Sequence, residues 1–346
     1  MPGREEILSG HSGKVREAQV QFIKKYQKAL ITAVLGVALF LLGGSLVPNF
    51  LKLGNLLNVV RQSSVIAIAA VGMSQVIVIK GIDLSVGGNI SFCGMVVGIL
   101  FAHNVPVPLA ILAAIAVGLL LGLISGSLVA FLNVPAFVST LVVGQITQGA
   151  AYLFNNGNSF GNFPESFKAI GNSTLLGVPY SDLLMLIFVA MGVIITTRLP
   201  IGTHIYGLGG NEQVLVNAGI RVSRIKLFVF MLSGFCAACA GVLLAAQLTT
   251  AHPTQGDNYQ TDAIAACVIG GINMAGGEGK VWLTMIGSLI IGSVRNVLNL
   301  LHVSVYLQNI IVGIIIIAVV ALSMLMKVRR DEKTSRFAAS AEVKTV

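Results

Sequence analysis

Ten mainly apolar stretches follow one another along this chain, most of them about 20 residues long, and they constrain its fold more than any other feature. They lie near 29–47, 58–79, 84–102, 107–131, 134–152, 181–198, 225–247, 262–275, 281–300 and 305–326. In lipid each backbone N–H and C=O must bond within its own segment, so each stretch is expected to be a helix. Charged residues make up 10% of the 346 and hydrophobic ones 55%, which excludes an ordinary soluble domain with its roughly 25% charge. The expected fold is an all-α membrane protein, a polytopic bundle of about ten transmembrane helices. The eighth stretch, 262–275, is short for a span and reads as tilted, broken or partly re-entrant.

The charges that remain set the orientation. With both termini in the cytoplasm, all of the 22 Lys and Arg residues except Lys52, Arg61, Lys168 and Arg295 fall on the cytoplasmic side, as the positive-inside rule requires. The net charge of +9 is thus a topology signal and gives no reason to expect nucleic acid. Residues 1–28 read as a basic cytoplasmic tail, 29–326 as one membrane domain, and 327–346 as a second cytoplasmic tail. No cleavable leader is expected, because the first apolar run is long enough to stay in the membrane. Segments 153–180 and 248–261, rich in Asn, Gly, Ser and Thr, read as the large outer loops, and 199–224 as a cytoplasmic loop.

That last loop is the only long internal stretch to combine several charges with a short amphipathic core. Asn211 is placed to cap a short helix after Gly210, with Glu212 in its first turn favoured by the helix dipole, then Gln213. Val214, Leu215 and Ala218 are expected to share one face, and Gly219 to end the helix. A surface helix with an apolar face suits a groove on a soluble partner.

Other motifs are weaker. Ile79 to Gly88, with Gly81, Asp83, Ser85 and Gly87, echoes Ile269 to Gly277, which continues through Gly276, Gly277 and Gly279; an internal duplication would produce such an echo. Gly271 to Lys280 resembles a phosphate loop, but Met274 and Val281 stand where Gly and Ser/Thr are needed, so no ATP hydrolysis is expected here. Cys236 and Cys239 lie among small residues and read as helix packing, as do Gly118, Gly122 and Gly126. The internal acids fall at loops or span ends, with none mid-membrane, which weakens an ion-coupled carrier reading. Neutral polar side chains within spans suit a polyhydroxylated solute: Gln62, Ser63, Gln75, Gln145, Gln148, Asn296 and Asn299. Singly, each reads as interhelical glue. Arg295 either snorkels to the outer interface, the preferred reading, or lines the pathway.

Four stretches together resemble the permease subunits of ribose/galactose/xylose-type bacterial ABC importers. They are Ala70–Met73 through Gly81–Gly87, Tyr206–Glu212, Asp262–Ala266 through Gly276–Gly279, and Asn299–Ser304 with Tyr306. The resemblance implies a homodimer, or a heterodimer with a sister permease, in the bacterial inner membrane. It also implies a cytoplasmic ATP-binding subunit holding ATP and Mg, a periplasmic solute-binding protein, and no cofactor on this chain. The stretch around Asn211–Gly219 matches the family's coupling helix. Lys80, Asn273, Arg295 and His302 stand where small or neutral residues look more usual in similar permeases. The rival reading is an ion-coupled secondary carrier for a small neutral solute.

Overall fold

The computed structural model describes residues 43–45 and 47–321; most of the 29–47 stretch and both tails lie outside them. Among the described residues six helices are long and apolar enough to cross a membrane: α1 (Leu53–Val78), α3 (Val107–Phe131), α4 (Ala136–Leu153), α6 (Tyr180–Thr197), α9 (Val222–Leu248) and α11 (Trp282–Leu300). Two apolar helices are shorter, α2 (Val86–Ala102) and α12 (Val305–Ala321). Between them lie α5 (Glu165–Asn172), the hairpin β1 (Thr174–Leu175) and β2 (Val178–Pro179), α7 (Pro200–Gly210), α8 (Glu212–Asn217) and α10 (Tyr259–Ile269). The chain is a multi-pass helical membrane protein.

Helices α1 and α9 form the buried centre, whereas α3 and α4 turn rows of Leu, Ile, Val and Phe outward. Small residues make the centre possible. A Cβ on Gly122 would overlap the Phe230 carbonyl, and one on Gly72 would stand 2.8 Å from the Ser233 Cα and 3.0 Å from the Cys236 Cβ. The glycine row of α3 and the cysteine segment of α9 are therefore close-approach packing, as small-residue interfaces in lipid require.

Helix ends explain two of the unusual residues. Lys80 and His302 sit just past α1 and α11 with φ of +66° and +56°. Gly81 N and Val303 N return to Val76 O and Leu298 O, closing the turns that normally favour glycine. The preference for small residues there is thus conformational.

Helix α10 has 11 residues, too few to span, so the eighth stretch is a half-helix, within the broken or re-entrant reading of that short stretch. The stretch before it, expected as an outer loop, folds into the bundle. Gly256 N bonds the Ser91 Oγ of α2 at 2.9 Å, and a Cβ on Gly87 would meet Gly256 O at 2.8 Å. The N-terminal ends of α2 and α10 therefore meet inside the protein. The other segment expected as an outer loop, 153–180, packs partly against the bundle. Phe101, Phe163 and Phe167 pack edge to face, and Phe160 pairs with Ala251.

Candidate functional site

Residues Lys80, Arg198, Arg221, Arg224, Lys226 and Lys280 mark one end of the bundle as basic, and there three of the sequence motifs converge. Helix α1 stops at Val78, whose carbonyl accepts the Gly277 N–H at 2.9 Å. Gly209, near the end of α7, presses against both, and a Cβ on it would overlap the Val78 oxygen and the Gly277 nitrogen. Gly276 and Gly277 take φ of +81° and +73°, so the 276–279 loop can turn this tightly only because it lacks side chains. Around this knot the Tyr206 hydroxyl donates to Gly279 O at 2.7 Å and Lys80 Nζ to Gly210 O at 3.2 Å. Burial raises the Tyr206 pKa above that of an ordinary phenol, which keeps its proton available for that bond.

From the knot α8 projects. The Asn211 side chain accepts from Gln213 N at 3.0 Å, the expected cap, and Gly219 at φ +75° ends the helix as Ile220 N returns to Leu215 O. The expected shared face is corrected. Leu215 turns inward, buried against Gly207, while Val214 and Val216 are 60% and 49% exposed and flank it, and Ala218 is also exposed. Successive positions turn by about 100°, so Val214 and Leu215 cannot face the same way. Glu212 pairs with Lys226 at 2.9 Å, tying α8 to the first turns of α9. The 199–224 segment thus holds two helices, of which sequence reading found one.

The Gly81–Gly87 turn is pinned further inside. Asp83 is buried; its carboxylate accepts from Ser85 N (2.9 Å), Ser85 Oγ (2.6 Å) and Ser233 Oγ (2.6 Å). Thr140 Oγ1 accepts from Leu84 N and donates its one hydrogen to the Ala136 carbonyl at 2.8 Å. Ser233 is the twelfth of 27 residues in α9, so Asp83, in the turn between α1 and α2, lies well inside the bundle. Ser233→Ala removes a donor from a buried carboxylate, and a loss of about 1–3 kcal/mol is expected, read as a lower thermal midpoint in detergent.

The second acid overturns the reading of Arg295. Its Nε and Nη2 donate to Asp262 at 2.7 and 2.6 Å, joining α11 to the first turn of α10. Arg295 does not snorkel; it neutralises an acid that is 3% exposed. A lone cation deep in one span called for an anion nearby, and that signal could have found the pair.

The seven polar residues proposed for a pathway have different surroundings. Ser63 bonds Val59 O, Gln148 bonds Pro253 O, Asn296 exchanges two bonds with Asn55, and Asn299 accepts from Gln308. The bonds of Gln148, Asn296 and Asn299 join separate segments, whereas that of Ser63 stays within α1. Gln62 and Gln145 are exposed, and Gln75 is fully buried with neither end of its amide bonded among the described residues.

Comparison with known proteins fits this arrangement. The family model described as branched-chain amino acid transport system / permease component matches residues 55–320. A ribose import permease protein of Haemophilus influenzae is 42% identical over 277 residues, 79% of this chain and 86% of that protein. The D-allose transport system permease protein of Escherichia coli K12 is 38% identical, over 88% of this chain and 93% of its own length. An autoinducer 2 import system permease protein of Shigella flexneri is 32% identical, covering 84% and 85%. No solved structure matches the chain. The chain belongs to the branched-chain amino acid transport system / permease component family, as a permease subunit of the sugar ABC importer type.

Proposed function

We propose that this chain passes a monosaccharide of ribose, galactose or xylose type, or a similar polyol, through the bacterial inner membrane by alternating access. In this reading a periplasmic binding protein delivers the solute and a cytoplasmic subunit holding ATP and Mg supplies the energy. Two permeases, identical or sister chains, enclose the pathway. About ten spans, with both termini in the cytoplasm, complete the topology. The knot and α8 face the ATPase, and Gln62 and Gln145, the exposed amides of α1 and α4, face the solute. The printed names of the relatives, which import ribose, allose and autoinducer 2, support the solute class.

One observation carries the reading: α8 is a capped helix with two exposed valines, rooted in a knot that also grips the end of α1 and the 276–279 loop. A push on α8 reaches the centre of the bundle through backbone contacts. The test is a cysteine at Gln213 in a chain otherwise free of cysteine, cross-linked in native membranes. A cross-link to a nucleotide-binding subunit is expected. Glu212→Arg places like charge beside Lys226 and is expected to abolish uptake with membrane levels unchanged, because an exposed pair of this kind contributes little to folding. Normal uptake by that variant would remove the coupling role.

The buried Asp83 and Asp262 favour the rival, an ion-coupled carrier. Both are already saturated by serine and arginine donors, which leaves little reason to bind a proton or sodium ion. Uptake by the purified chain alone, following an ion gradient, would establish that rival.

A further inference from the structure

The least explained side chain in the described bundle is that of Gln75. It is 0% exposed, and its Oε1 and Nε2 have no hydrogen-bond partner among the described residues. Buried amides nearly always find partners, so an unsatisfied one marks either a packing flaw or a group whose partner belongs to another state.

Its surroundings favour the second. Gly72, three residues earlier, packs against Ser233 of α9, and Val71, four residues earlier, against Gly192 of α6. Helical spacing therefore sets Gln75 over the groove between α6 and α9, which the stacked rings of Phe188 and Phe235 bridge at 5.6 Å. Helix α7 closes the basic end of that groove. It leaves α6 with Gly202 packed under the Ile195 carbonyl, buries Ile205 and Leu208 in the same cluster as Val71 and Val229, and ends on Val78, three residues past Gln75. The arm that carries α8 thus packs across the basic end of the groove over which Gln75 lies.

We propose that Gln75 is a solute contact near the basic end of the pathway, shut away here by α7 and uncovered when the α7–α8 arm moves. Its carboxamide sets a donor beside an acceptor, which matches two adjacent hydroxyls of a neutral sugar and neither an anion nor a cation. The inference rests on the coupling reading given above.

The test uses the assembled complex with its nucleotide-binding subunit. Gln75→Cys, with the four native cysteines replaced by alanine, is treated with N-ethylmaleimide in the nucleotide-free and vanadate-trapped states. Labelling is expected to differ between the two by about tenfold or more, as a shift of conformational population requires. Equal labelling in both states, or none in either, overturns the proposal. Gln75→Leu fills the same space without the unsatisfied amide. Its thermal midpoint is expected to rise by roughly 2–6 °C while uptake falls about fivefold or more. A raised midpoint with normal uptake would make Gln75 a packing flaw, and a lowered midpoint would mean its amide is bonded after all; either result overturns the proposal. If the Gln213 cross-link forms and these results fail, the solute contact falls alone. If the cross-link itself is absent, the coupling reading fails first.

Discussion

Gly209→Ala is expected to reduce solute uptake to a tenth or less of the parent's, at equal amounts of protein in the membrane. The methyl group would occupy the space now filled by the Val78 oxygen and the Gly277 nitrogen. Neither is the tip of a flexible side chain. Both are backbone, and they are bonded to each other at 2.9 Å. To admit the methyl, that bond must stretch or α7 must lift away from the end of α1. Overpacking of this kind typically costs about 1–3 kcal/mol, and at a joint through which motion is transmitted the cost falls on the conformational change. Gly210→Ala is the control, since a Cβ there meets nothing within 4 Å. It is expected to leave uptake within about twofold, the scale of an ordinary surface substitution. Equal loss in both variants would point to general intolerance of the α7–α8 junction and remove the knot from the mechanism.

What the sequence made legible was local. The apolar run at 107–131 became α3 with the same bounds, and that at 58–79 became α1 with five further residues at its start and one fewer at its end. The cap of α8 was readable because Asn211 bonds an N–H two residues away, within the reach of helix-start rules. Hydropathy failed at segment 248–261. Its polar backbone reads as water-exposed, yet inside the bundle Ser91 and the bare backbone of Gly87 receive it. A polar loop can be buried wherever protein, rather than lipid, surrounds it, and a one-dimensional profile does not distinguish the two. Helix α7 was missed for the opposite reason, since its glycines lower helix propensity and tertiary contacts with the ends of α1 and α6 override that. The surroundings of the pathway amides were beyond local rules too, since Asn296 pairs with Asn55 and Gln148 with the Pro253 carbonyl, both far away in the sequence.

The Asp262–Arg295 pair, 33 residues apart, was likewise beyond local rules, and it carries the largest expected effect on stability. Arg295→Leu leaves a carboxylate with 3% of its side chain exposed and no cation beside it. Losing one partner of a buried pair costs about 3–5 kcal/mol, which in a chain of this size lowers the thermal midpoint by roughly 10 °C. Asp262→Asn should cost less. Arg295 is 15% exposed and reaches toward Asn309 with Nη1, and the asparagine can still accept one of its bonds. Removing both charges, as in Asp262→Leu with Arg295→Leu, is expected to recover most of the midpoint, because no ion is then stranded. The single and double changes will therefore be strongly non-additive. Additive losses would mean that each residue acts through separate contacts and that the pair is incidental. The order of effects also tests the half-helix. If the pair anchors α10, Arg295→Leu should speed hydrogen exchange along Tyr259–Ile269 before it affects the centre of α9, since the lost bonds lie in the first turn of that short helix. Uptake is expected to return with stability in the double variant, because the pair lies at the start of α10 and the change leaves the 276–279 loop of the knot untouched.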